Sequence, residues 1–290
     1  AGQWEACRAL SLPLHRTWSY ARLPVRHRAV PEGAPDDWRR ELLEHAASLT
    51  GVGAALARWA LGRPDPITEA DLTHALGMLA ARADCADFEA VGLLHLLHRV
   101  PADAWPADAR DRVRAALAGL KYWIDQPGLD AMCYFTENHQ LVWHTAELLA
   151  GEFLGDAART EHGRALASAW LDVRLAGGMA EFDSNAYLAI DLLALVSLAE
   201  LATDADLTGR ARELAGRIVR ALALTSHAGI HGGAQGRSYV QTLRSGRFEE
   251  TAGIMWACFG VGALNPAVLP AVVGATATQP VVPPDAPALV

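Results

Sequence analysis

Cysteine is scarce and scattered: Cys7, Cys85, Cys133 and Cys258 are the four in 290 residues, and no two of them form a CxxC pair. That spacing suggests neither a zinc knuckle nor a disulfide framework, so core thiols are expected. Long apolar runs are missing as well. No stretch reaches the roughly 18 residues a membrane span needs, and no charged-then-apolar leader opens the given chain. Positive charge is in deficit, with 25 Lys and Arg against 33 Asp and Glu and a formal net charge of −8. Nucleic acids and anionic membranes are held mainly by spread-out Lys and Arg, so neither is an expected partner. The HExxH helix of zincins is absent, and the spacing of His139 and His144 is one residue too long for it.

What is present favours helix. Hydrophobic residues make up 51% of the chain and charged residues 20%, ordinary values for a globular protein. Leu and Ala dominate over Val, Ile and aromatics, which predicts an all-α body. The charge is uneven: residues 1–40 hold Arg8, Arg16, Arg22, Arg26, Arg28, Arg39 and Arg40 against four acids. That segment reads as an extended N-terminal arm over residues 1–35, solvated or lining an anionic site.

From about residue 36 the chain reads as helix after helix. A unit spanning 36–62 has Trp38, Leu42, Leu49, Leu56 and Trp59 near helical spacing and closes at Gly62 before Pro64. Further units run from Thr68, from Asp87, and from Pro106 to a Pro-Gly turn at 127–128. The second half continues with "TENHQLVWHTAELLAGEFL", "ARTEHGRALASAWLDVRLA", "SNAYLAIDLLALVSLAELA" and "DLTGRARELAGRIVRALALTS". Short turns separate these units, so successive pairs make helical hairpins, and no fixed tetratricopeptide or ankyrin motif recurs. About nine or ten helices are expected, arranged as an incomplete (α/α) toroid over residues 36–262. The Pro/Ala/Val-rich segment 263–290 reads as a tail or linker or as an extended wrap against the body, compatible with a further C-terminal domain in a longer parent chain.

Four polar clusters interrupt the apolar helices: "RADCADFE" at 82–89, "TENHQLVWHTAE" at 136–147, "EFDSNAY" at 181–187, and "GRSY" at 236–239 within a Gly-rich stretch over 227–247. Each falls at an expected helix start or in a loop, where side chains and free backbone N–H groups can face a ligand.

The adjacent Asn138 and His139, Tyr187 49 residues after Asn138, and Arg237 and Tyr239 in the Gly-rich segment form a sparse pattern. It resembles that of (α/α)-toroid polysaccharide lyases of the alginate-lyase and heparinase-II-like groups. The likeness covers residues 137–239, and Glu137 stands where those lyases often carry a second Asn. The resemblance implies β-elimination on a uronic-acid-containing oligo- or polysaccharide; separately, no cofactor and no metal are expected. Removal of the C5 proton needs the neighbouring carboxylate masked, a task for Asn138 and Arg237. Tyr187 or His139 is then the base and Tyr187 or Tyr239 the acid, the phenol pKa being lowered by nearby positive charge.

Two rival readings share these residues. A glycoside hydrolase would use a carboxyl pair, Glu137 with Asp183 or Asp87 with Glu181. Asn138, His139 and Tyr187 would then hold sugar hydroxyls and Trp123, Trp143 and Trp170 offer faces for stacking; His144 and His231 are further expected substrate contacts. The other rival is a helical scaffold or glycan-binding module without catalysis, in which Asn138 is a helix cap, His144 a core histidine and Trp143 packing. A metal held by His144 and Glu147, with His139, His227 or His231, is a lesser reading. Glu137 separates the two catalytic readings, because a lyase must hide its charge and a hydrolase would use it.

Overall fold

A computed structural model of the chain describes residues 25–279 and 281–290. The arm expected over 1–35 falls mostly on residues 1–24, outside that set, as does Cys7. Among the described residues the protein is all-α, with twelve α-helices and two two-stranded ribbons. The helices are α1 (Pro35–Ala47), α2 (Val52–Ala60), α3 (Glu69–Ala81), α4 (Ala86–Arg99), α5 (Ala109–Gly119), α6 (Glu137–Leu154), α7 (Ala157–Gly177), α8 (Tyr187–Leu201), α9 (Ala205–Thr225), α10 (Val240–Arg244), α11 (Glu250–Phe259) and α12 (Leu269–Ala275). None of them is long and apolar enough to cross a membrane.

The unit expected over 36–62 is two helices. Gly51 takes φ +117, and its N–H donates to Asp71 Oδ1 at 2.9 Å. Asp71 is buried and also accepts from Thr68 and Arg58, so one carboxylate ties the α1–α2 break to the start of α3.

Helices adjacent in sequence pack on one another, as α1 with α2, α3 with α4, α6 with α7 and α8 with α9. In the α6–α7 hairpin two glycines set the separation. A Cβ on Gly163 would stand 2.5 Å from the Leu148 nitrogen, and one on Gly151 would stand 2.6 Å from the Thr160 nitrogen. Helix α8 is apolar nearly all round and sits in the interior, in contact with α4, α6, α9, α11 and α12. Its one buried hydroxyl, Ser197, donates to Leu193 O at 2.6 Å and lies 2.8 Å from His95 Nε2 of α4. Burial pushes His95 down to about 3, so the core there holds no charge.

The two ends of the described chain are part of this body. Strand β1 (Arg26–Arg28) pairs antiparallel with β4 (Gly262–Leu264), while β2 (Ser226–His227) and β3 (Ile230–His231) form a second ribbon. Arg28 is buried, 2.7 Å from Glu41 and 4.4 Å over the Trp256 ring; at this position the basic segment packs and neither waves in solvent nor lines an anion site. Segment 263–290 is not a simple tail, because α12 packs against α1, α2, α8 and α11 and buries Ala271, Val272 and Val273.

Candidate functional site

The three residues opening α6 point three ways. Glu137, 5% exposed, accepts the Ala180 and Glu181 N–H groups at 2.8 and 2.7 Å and pairs with the Arg174 guanidinium. Asn138 is wholly buried, and its side-chain amide donates to Glu181 Oε2 at 2.8 Å. The same oxygen receives the Asn138 backbone N–H at 3.3 Å, satisfying a free donor of the helix start. His139 turns toward α4, where its Nδ1 meets Asp87 Oδ2 at 2.7 Å and Phe88 stacks on its ring at 4.9 Å. Burial alone would drive His139 to its neutral form, but the hydrogen bonds its ring donates to Asp87 and Cys85 and the charge of Asp87 outweigh it and raise the imidazole to about 10.

Beside His139 opens a cleft of about 390 Å³. Five segments line it: Asp84, Cys85 and Phe88 around the start of α4; Cys133, Thr136 and His139 at the entry to α6; Ala186, Tyr187 and Ile190 around the start of α8; Arg237 and Tyr239 of the Gly-rich loop; and Glu250, which opens α11.

Tyr187 and Tyr239 meet there hydroxyl to hydroxyl, and the Arg237 guanidinium lies 4.8 Å from the first ring and 5.4 Å from the second. Contrary to the expected lowering, the Tyr187 phenol is pushed up, by burial first and then by its hydrogen bond to Tyr239; Arg237 opposes this without prevailing. Tyr187 therefore holds its proton, which suits an acid better than a base. Glu250 has no hydrogen-bond partner among the described residues, and burial raises it to about 7.

The loop that carries Arg237 and Tyr239 is pinned from below. Gly236 N–H donates to Phe182 O at 2.8 Å, and Ser184 Oγ donates to Arg237 O at 3.2 Å. His231 Nε2 lies 3.0 Å from Asp183 Oδ1, while its backbone N–H donates to Glu249. A Cβ on Gly233 would stand 2.3 Å from Asp183 Oδ2 and 2.9 Å from the His231 ring, so a larger residue there would have to displace the Asp183–His231 contact.

Of the five residues assigned to catalysis from sequence, His139, Tyr187, Arg237 and Tyr239 line the cleft, and Asn138 lies behind it. None of the residues assigned only to substrate contact lines it. Asp87 orients His139. Glu181 holds Asn138 and lies 3.8 Å from Arg237. Glu137, Asp183 and His231 are engaged as described above. Trp143 is core, donating to Cys133 O at 2.9 Å. His144 is core too, 4.6 Å from the Trp123 ring and lowered to about 3 by burial. The carboxyl pairs proposed for a hydrolase are thus spent on Arg174, His231, His139 and Asn138.

Sequence reasoning missed Cys133 and Glu250 as cleft residues and gave Asp84 and Cys85 no individual role within the 82–89 cluster; Cys85 and Cys133, two of the expected core thiols, line the cleft. For Glu250 a signal existed: "EETAGIMW" opens a strongly apolar helix with two adjacent acids, more charge than a cap requires. No family model matches the chain, and neither a curated protein nor a solved structure shows a significant match to it.

Proposed function

We propose that the cleft is the active site of a carbohydrate lyase that breaks a uronic-acid-containing glycan by β-elimination, on a helical body curled as an incomplete (α/α) toroid. The observation that carries this reading is the Tyr187–Tyr239 hydroxyl pair beneath Arg237, in one cleft with His139 and Glu250. Arg237 faces the uronate carboxylate and stabilises the enolate-like transition state. Glu250, with a pKa near working pH, takes the C5 proton. The C4–O bond breaks, the C4–C5 double bond forms, and the leaving oxygen takes a proton from the tyrosine pair. The proton on Glu250 returns to that pair through water. Asn138 has a positioning role here, holding Glu181 beside Arg237, and is not itself the carboxylate mask. The buried and neutralised Glu137 supports the lyase over the hydrolase, since its charge is hidden from an anionic substrate.

The test is incubation of the purified protein with uronate polymers, namely alginate, polygalacturonate, heparan and chondroitin chains, with near-ultraviolet absorbance of the unsaturated product followed. A rise that Tyr239→Phe abolishes supports the reading. Release of reducing sugar from neutral glycans with no such absorbance on any uronate polymer would sink it.

A further inference from the structure

Three side chains of different ligand chemistry meet at one end of the cleft. A carboxylate oxygen of Asp84, Sγ of Cys85 and a ring nitrogen of His139 all lie within 4.8 Å of one another. His139 Nδ1 is taken by Asp87, so the nitrogen left for the cluster is Nε2, which has Asp84 Oδ1 at 3.9 Å. His139 is 6% exposed, and the hydrogen bond it shares with Cys85 comes from within the cluster itself.

We propose that Asp84, Cys85 and His139 bind one divalent transition-metal ion of the zinc type, with Asp87 as the positioning residue and the fourth coordination place open to the cleft. With bond lengths of about 2.0–2.3 Å, donors around a tetrahedral zinc ion lie about 3.3–3.8 Å apart. The three atoms reach that spacing by side-chain rotations of ångström size. A thiolate, an imidazole and a carboxylate together favour zinc over magnesium or calcium, which take oxygen donors. The buried Asp87 on the far ring nitrogen is the support that metal-ligating histidines carry: it fixes the tautomer and raises ligand basicity. Three protein ligands with a place facing an accessible cleft is the pattern of an open site, not of a closed structural one. The site differs from the His144–Glu147 alternative read from sequence, because those two side chains lie in the interior, with Glu147 bound to Gln126 and His162. It does not rest on the lyase reading, since metal binding is measured without substrate.

The reduced, chelator-treated full-length protein is titrated with Co2+ and with Zn2+. Stoichiometry is read by calorimetry, and thiolate ligation by the sulfur-to-cobalt charge-transfer band. One ion per chain with a thiolate band is expected. Cys85→Ser should remove the band, His139→Ala and Asp84→Asn should each weaken binding at least tenfold, and Asp87→Asn should weaken it about 10–100-fold while keeping the band. Cys133→Ser and Cys258→Ser should keep both band and stoichiometry. Circular dichroism establishes that each variant is folded, and Asp84→Asn carries the test if His139→Ala is not. Binding below one ion per chain at micromolar metal overturns the proposal. So does binding without a thiolate band, or a band that survives Cys85→Ser or depends on Cys133.

Discussion

Asp87 and His139 are 52 residues apart in sequence and 2.7 Å apart in space, the carboxylate Oδ2 against the imidazole Nδ1. Asp87 is fully buried, so the pair joins α4 to α6 through a charge-assisted contact shielded from water. Asp87→Ala leaves the imidazole nitrogen without its partner, and a loss of about 3–5 kcal/mol in urea unfolding is expected. Asp87→Asn retains an acceptor and should lose less. Equal stability of wild type and Asp87→Ala would show that the contact is idle in solution.

Glu137 tests whether an acid in a motif is chemical or architectural. Its two carboxylate oxygens receive two backbone N–H groups and Arg174. Glu137→Ala should therefore destabilise the fold by about 3–5 kcal/mol. Glu137→Gln, where it folds, should leave KM for a substrate within twofold. A large KM change in a folded Glu137→Gln protein would mean that the side chain reaches the substrate.

The tyrosine pair predicts a non-additive loss. With their hydroxyls bonded to each other, Tyr187→Phe and Tyr239→Phe should each lower kcat by about 10²–10⁴-fold. The double variant should be little worse than either single one, because one relay is broken in all three. Thermal unfolding should change by only a few degrees. Multiplicative losses in the double variant would assign the two phenols separate roles.

Glu250 links activity and stability to pH with opposite signs. Burial raises it, and Glu249 beside it, from 4.5 to about 7. For Glu249 the His231 N–H, Asn185 and Thr251 only partly offset that rise. The native state thus holds protons that the unfolded chain has released, and stability present below about pH 4.5 is lost as pH rises toward 7. The charged or titratable groups sharing the cleft with Glu250 are Asp84, Cys85, Cys133, His139, Tyr187, Arg237 and Tyr239. Glu250→Gln should flatten the fall in melting temperature between pH 5 and 8. In the active protein kcat/KM should rise with pH through about 7 as Glu250 becomes the basic form. An unchanged pH slope in Glu250→Gln would remove Glu250 from both roles.

The helical character was legible because it is local. Leu- and Ala-rich periodicity, acids at helix starts and Pro or Gly at their ends act within a few residues. The same locality misjudged the 36–62 unit, whose break depends on Asp71 reaching back to Gly51. In 263–290 packing against the body is among the readings, but the Pro-rich composition hides the helix within it.

Four candidate residues were readable as a group because each stands out against apolar surroundings: His139, Tyr187, Arg237 and Tyr239. Asn138 stands out equally, yet it serves Glu181. Glu250 and Cys85 matter by position: the paired acids of 249–250 and the 82–89 cluster mark their neighbourhoods, but which side chain of each reaches the cleft is set by packing. Sequence by itself determined the helices and placed the polar clusters at their entries, since propensity and amphipathic period need no distant partner. Only the tertiary structure decided which side chains of each cluster face the cleft and which are spent behind it. One helix start aims Glu137, Asn138 and His139 about 100° apart per residue, and what each then meets comes from segments some 40 to 50 residues away.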